Sequence, residues 1–410
     1  MMIDKSEREI REIIRDWAVA YFEGDLYGFG LSDEMDFATF FDDDIGVIEP
    51  LSEETGNLHD LGYRADTHRT GRRVGRGFRV KAVFDNNPLI HNTVSRGCKV
   101  LSPDMIPEMG KIKIAVFPRR YYAIKRQLES YGLKEYEDFM YYNFFVALYN
   151  YFIQNKVLVW KATVGVTTRC TLKCVDCNMF IPFYENPADI PYDELSSDLD
   201  VFFSRVDFVQ WFAILGGEPL LNRNLFAYLQ KIKRYSNRIA EIVIDTNGSI
   251  VPDDALLAQA RELGNARIMI NNYRVNNHYE RTYNKVVEKV KNSGVSYTLR
   301  EYDWSQYRRG AAINDEFALK SHYNRCNQPF TAFQNNRFYT CHLPWSAARC
   351  GIGPDAPEDF LDFTDQSITD LDIVKAALGH LTRGYTSNCA MCNGCDPDYY
   401  QKIPKATQQL

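Results

Sequence analysis

The chain has 410 residues, 45% of them hydrophobic, ten cysteines and a formal net charge of −6. That length supports two or three domains with real cores and excludes a disulfide-stapled miniprotein, while the acidic balance argues against a general nucleic-acid binder. The opening residues, MMIDKSEREIREII, are charged and helical in pattern rather than a secretory signal, and no apolar run of about 18 residues offers a membrane span. The expectation is a soluble protein of the reducing cytoplasm, without membrane or nucleic-acid partners, in which grouped cysteines are metal ligands before disulfides.

In chain order, Ile10, Ile13, Ile14, Trp17 and Tyr21 repeat at helical spacing and Gly24 ends the pattern, which predicts an amphipathic packing helix over 6–23. An acidic segment with Asp42, Asp43 and Asp44 and a basic one from Arg64 to Lys81, containing TGRRVGRG, read as solvated surface. The runs RVKAVFDNNP and KIKIAVFPRRYYAIKRQLESYGL are β-type segments, the second leading into a helix, and predict a small α/β domain over 1–137. It resembles the Rossmann-like domains attached to sugar-modifying enzymes, although GxGxxG is absent. The aromatic segment EDFMYYNFFVALYNYF predicts a buried linker helix within 138–156.

From Val157 the pattern is regular. Strand-like runs at 157–166, 209–215, 241–245, 266–270 and 295–300 alternate with helical stretches such as NLFAYLQKIKRY and DDALLAQARELG. Repeated β-then-α units predict a parallel sheet closed or partly closed into a barrel over 157–325, with its chemistry at the C-terminal ends of the strands.

The stretch VGVTTRCTLKCVDCNMF follows the first of these strands and holds Cys170, Cys174 and Cys177 in a C-x3-C-x2-C spacing. Structural zinc sites combine two C-x2-C pairs into a closed tetrahedron, whereas three local thiolates leave one position open and suit an iron–sulfur cluster. Here the sequence resembles the radical S-adenosylmethionine superfamily, whose signature is this triplet in the loop after the first barrel strand. The resemblance implies a partial (βα)6 TIM-like barrel and a [4Fe–4S] cluster whose open iron chelates S-adenosylmethionine. The second strand ends in LGGEP, with Gly216, Gly217, Glu218 and Pro219 where family members contact the methionyl ammonium; the third ends with Thr246, Asn247 and Gly248, and Asn271 falls at the fourth, where polar residues reach the ribose. The aromatic residue that family members often carry before the third cysteine is replaced by Asp176, and the adenine contact is assigned to Phe180.

Cys326 and Cys341 are separated by fourteen residues with a hairpin pattern, FTAFQNNRFYTC, and CAMCNGC supplies Cys389, Cys392 and Cys395. A zinc ribbon is one reading. Next to a radical barrel the pattern resembles the shortened SPASM-type module called Twitch, over 326–410, with a second, auxiliary [4Fe–4S] cluster on Cys326, Cys341, Cys389 and Cys392, or with Cys395 as substitute. Cys98 reads as a buried apolar residue.

The resemblance implies a radical oxidoreductase fed by reduced flavodoxin or ferredoxin: S-adenosylmethionine is cleaved reductively and the resulting 5′-deoxyadenosyl radical takes hydrogen from a substrate. An auxiliary cluster can accept the remaining electron in a dehydrogenation, and an epimerisation would need a hydrogen donor such as Cys350. The favoured substrate is a small polar molecule, a sugar or nucleotide-linked sugar, met by Arg300 and Tyr302 at the fifth strand's end and by Arg72, Arg73 and Arg76. A peptide-modifying enzyme and a non-enzymatic electron carrier are the alternatives.

Overall fold

A computed structural model describes residues 5–23, 25–30, 80–95, 98–117, 121–301, 304–308, 310–326, 331–381, 383–394 and 401–409. Asp42, Asp43, Asp44, Arg72, Arg73, Arg76, Tyr302 and Cys395 lie outside the described residues. The described chain divides into two units, one ending at Lys156 and the other starting at Val157.

In the first unit the helix Glu7–Glu23 buries Ile10, Ile14 and Trp17, and the Trp17 indole donates to the Tyr136 carbonyl at 2.9 Å. Strands β1 (Leu26–Phe29), β2 (Val80–Phe84), β3 (Val94–Ser95), β4 (Cys98–Leu101), β5 (Lys113–Val116) and β6 (Phe139–Tyr141) form one sheet in the order β3-β4-β2-β1-β5-β6. Every pairing is parallel except β3 with β4. Phe29, Phe84, Ile114, Val116 and Phe139 make its core. The aromatic segment predicted as one helix is instead β6 followed by the helix Tyr142–Gln154. Phe139 and Met140 are fully buried, and a run buried on all sides carries no period that distinguishes strand from helix. Cys98 opens β4 and is half-buried.

The second unit is built on β7 (Leu158–Gly165), β8 (Phe208–Leu215), β9 (Ile239–Thr246), β10 (Ala266–Asn271) and β11 (Ser296–Arg300), each parallel to the next. The helices Tyr192–Arg205, Leu225–Ile232, Asp254–Leu263 and Asn277–Ser293 connect them. Local chemistry fixes where the helices start: Asp253 accepts from Leu256 N–H, and Asn276 from His278 and Tyr279 N–H.

Register separates the two faces of this sheet. Val164, Ile214, Ile244 and Ile268 lie in one cross-strand row, Phe212 pairs with Ile242 in the next, and all of them are almost completely buried. On the opposite face Lys161, Trp211 and Glu241 form one row, Thr163, Ala213, Val243 and Arg267 the next, and Asp245 pairs with Met269 nearer the C-terminal ends. Cross-strand contacts fit this assignment: Lys161 Nζ lies 5.6 Å from the Trp211 ring centroid, and Arg267 pairs with Glu241.

Residues beyond 331 extend the same sheet. Strands β13 (Ala332–Gln334), β14 (Arg337–Tyr339) and β15 (Phe360–Asp362) follow β12 (Trp304–Ser305) in the chain, and β13 pairs in parallel with β7 to give the order β11-β10-β9-β8-β7-β13-β14-β15. A separate ribbon joins β12 to β16 (Lys402–Ile403). Among the described residues no helix is long and apolar enough to cross a membrane.

Candidate active site and thiol groups

The triplet loop leaves the C-terminal end of β7 and is held first by its own polar residues. Thr167 Oγ1 donates to Asp189 at 2.7 Å, and Arg169 pairs with the same carboxylate at 3.1 Å. It is then tied to the turn after β8, where Gly217 N–H donates to Thr167 O at 2.9 Å and Glu218 N–H to Arg169 O at 2.8 Å. A Cβ on Gly217 would stand 2.2 Å from Arg169 O, so this contact admits only glycine. The backbone approach made by the glycine of LGGEP is therefore to the cysteine loop itself.

Glu218 is fully buried, and its contacts join three turns. Oε1 accepts from Thr246 Oγ1 at 2.8 Å and from Leu220 N–H at 3.1 Å, and Oε2 accepts from Asn247 N–H at 2.8 Å. Burial pushes its carboxyl up to about 7, against the pull of those donors. Asn247 passes the connection on, its amide donating to Thr171 Oγ1 at 3.1 Å and reaching Cys170 Sγ at 3.5 Å. At β10, Asn271 donates to Thr246 O at 3.0 Å, and the Tyr279 hydroxyl lies within hydrogen-bond reach of both Asn247 O and Asn271 O. The polar residues ending three successive strands thus form one network around Cys170.

The triplet thiols fit an iron–sulfur cluster by their donor chemistry. Burial raises Cys170 and Cys174 to about 12 and also raises Cys177. N–H groups face all three sulfurs: Leu172 N–H on Cys170 at 3.4 Å, the Gln408 amide on Cys174 at 3.3 Å, and the N–H groups of Met179, Phe180 and Ile181 on Cys177. Such donors stabilise sulfur that carries negative charge, as thiolates do when they ligate metal. Among the described residues no three His, Cys, Asp or Glu side chains converge on a single-ion position.

A second thiol group lies in the same unit. Cys326, at the end of the helix Glu316–Arg325, Cys341, at the start of the helix His342–Arg349, and Cys389 and Cys392 line one cavity with His322, Tyr323 and Thr386. Its volume is about 40 Å³, several times the about 10–15 Å³ that holds one water. Gly394 N–H donates to Cys392 Sγ at 3.0 Å. Burial raises Cys389 to about 11 and Cys341 well above the ordinary thiol range. Four thiols around one cavity fit a fully ligated cluster.

Lys161, Asp245 and Arg300 share the open sheet face, and of these only Arg300 was a sequence expectation for the site. Asp245 is raised by burial but feels the positive charges of Arg300 and Lys161. Arg300 Nη1 lies 3.2 Å from Met269 Sδ. His342, pushed down to about 4 chiefly by burial, also senses Lys161 and contacts Asn178 O at 3.2 Å. Lys161 had a sequence signal, a single charge inside the apolar run VLVWKATV; Asp245 had one too, directly before TNG.

Two expected residues are placed otherwise. Phe180, expected to offer its ring to an adenine, is buried with Leu343, Ala347 and Cys392, beside Phe183 and Cys341; this is packing next to the second thiol group. Cys350, expected as a hydrogen donor, borders that same cluster, its thiol 3.5 Å from Ala347 O.

A parallel β-α sheet with this triplet after its first strand and GGEP after its second is the arrangement that the resemblance to the radical S-adenosylmethionine superfamily implies. No family model matches the sequence. It is similar to the GTP 3′,8-cyclase of Campylobacter jejuni, 33% identical over 94 residues that make up 22% of this chain and 28% of the relative. The GTP 3′,8-cyclase of Helicobacter pylori is 32% identical over 105 residues, 25% of this chain and 30% of the relative. The chain therefore spans less than a third of these curated relatives. Among solved structures, BtrN in complex with AdoMet and 2-DOIA gives a TM-score of 0.40 at 18% identity over 60% of this chain and all of that one. anSMEcpe with bound AdoMet gives 0.37 at 12% identity over 55% of this chain and 81% of that one.

Proposed function

We propose that the chain is a radical S-adenosylmethionine oxidoreductase acting on a small polar substrate, a sugar or nucleotide-linked sugar, by dehydrogenation or epimerisation. In this reading the sheet of the second unit is a partial barrel and its open face is the substrate side. Cys170, Cys174 and Cys177 would hold a [4Fe–4S] cluster, and Cys326, Cys341, Cys389 and Cys392 an auxiliary one. The first cluster, with S-adenosylmethionine bound and reduced by flavodoxin or ferredoxin, would supply the radical chemistry.

The chain's own part is binding, orientation and exclusion of water. The observation that carries the substrate class is the charged sheet face, where Lys161 and Arg300 act on the half-buried Asp245. Buried charges are costly unless paired and hydrogen-bonded, and a face of cations, a carboxylate and an amide is suited to hydroxyl and phosphate groups. Glu218, fully buried with both oxygens accepting from Thr246, Leu220 and Asn247, fixes the turns at the cofactor side rather than meeting the methionyl ammonium itself. The cyclase relatives, whose names specify a nucleotide, favour a second reading in which the substrate is a purine nucleotide and the product is cyclised.

Anaerobic incubation with ring-deuterated nucleotide sugars, followed by mass analysis of 5′-deoxyadenosine, tests this. Deuterium transfer from a sugar carbon is the expected result. Transfer from deuterated GTP alone supports the cyclase reading, and transfer only from a peptide refutes the small-molecule reading.

A further inference from the structure

Residues 401–409 run back across the triplet loop and pair with it. Val175 N–H donates to Thr407 O at 2.8 Å, Gln409 N–H donates to Lys173 O at 2.7 Å, and Cys174 and Gln408 face each other as an antiparallel bridge. The segment is anchored upstream by β16 on β12, and Ala406, 3% exposed, packs in one apolar cluster with Cys174 and Trp304.

Inside this ladder the Gln408 side chain makes contacts that orient it unambiguously. Oε1 accepts from Lys173 N–H at 2.8 Å, so the other end of the amide must be the nitrogen. Nε2 lies 2.6 Å from Ala406 O and 3.3 Å from Cys174 Sγ. Its two hydrogens thus have two acceptors, and one of them is the sulfur of the central cysteine. The backbone pairing places the residue; the side chain delivers a donor to the metal-binding atom.

We propose that Gln408 is a positioning residue for the cluster: its amide donates to the Cys174 sulfur and raises the cluster's reduction potential. Reduction adds negative charge that spreads onto the ligating sulfurs, and hydrogen bonds to those sulfurs favour the more negative state. The inference rests on Cys170, Cys174 and Cys177 being the ligands of the S-adenosylmethionine cluster.

The test uses the full chain, reconstituted anaerobically, in a redox titration followed by electron paramagnetic resonance. The signal that changes on adding S-adenosylmethionine reports the triplet's cluster apart from any other. Gln408→Leu removes the donor, and the expected result is a reduction equilibrium constant about tenfold smaller, 59 mV lower for one electron, at wild-type iron content. Gln408→Glu keeps an acceptor for Lys173 and brings a carboxylate to the sulfur; it lowers the potential at least as far and carries the test if the leucine variant takes up no iron. Unchanged potentials in iron-replete variants overturn the proposal, as does iron loss with the remaining cluster at the wild-type potential. A wild-type protein lacking any S-adenosylmethionine-sensitive signal defeats the reading of the triplet itself.

Discussion

Replacing Glu218 with glutamine changes the pH dependence of stability in a way that the geometry fixes. Burial lifts this carboxyl from its ordinary value of 4.5 to about 7. Because the folded value lies above the unfolded one, the group's contribution to stability is complete below about pH 4.5 and is lost as pH rises through about 7. At about 1.36 kcal/mol per unit the total loss is about 3 kcal/mol, of which about 2 kcal/mol falls between pH 5.5 and 8. Glutamine carries no such dependence, but whichever way its amide turns, its NH2 meets a backbone donor, Asn247 N–H at one oxygen position or Leu220 N–H at the other. That leaves a buried donor without an acceptor, at about 1–3 kcal/mol. The variant is therefore less stable than wild type near pH 5.5, and the gap narrows by about 2 kcal/mol by pH 8. Urea unfolding monitored by tryptophan fluorescence at several pH values measures the difference. A gap that stays constant with pH refutes the idea that Glu218 is a buried carboxyl titrating in this window.

The remaining predictions concern the thiols and the turn beneath them. Replacing Cys170, Cys174 and Cys177 by alanine should leave about half the iron of anaerobically reconstituted protein, as expected where thiolates hold two clusters of one type; zinc in place of iron would sink the assignment. Changing Cys326 and Cys341 to alanine should preserve reductive cleavage of S-adenosylmethionine while product formation fails, and normal turnover by a soluble double variant would remove the electron-acceptor role. Gly217→Ala drives a methyl into Arg169 O, so iron at the triplet should fall with the second thiol group still loaded; wild-type iron content in that variant contradicts the glycine argument.

The parts of the site that were legible in the sequence are those where chemistry demands particular residue types close together in the chain. The triplet spacing, GGEP and TNG are of this kind, and the alternation of apolar runs with amphipathic stretches located β7 to β11. The direction of the Gly217 contact was not legible, because an approach to a ligand and an approach to Arg169 O require the same residue. Phe180 was misplaced since its partners Leu343, Ala347 and Cys392 come from more than 160 residues away. Lys161 was visible as a charge in an apolar run, but only the register with Trp211 and Glu241 gives it a face. Gln408 had no signal at all: its meaning comes from a bridge to Cys174.

The pairing of β13 with β7 has a consequence for how the protein is made. Gly165 N–H on β7 is satisfied by the Gln334 side chain, 169 residues later in the chain, and Thr163 N–H by Thr331 O. Until those residues leave the ribosome, β7 is an open strand edge carrying the cysteine loop at its tip. At about 5–20 residues per second the interval is roughly 10–30 s. An exposed edge of this kind invites pairing with other chains. The cysteine loop therefore hangs from an unpaired edge until residues 331–334 have been made.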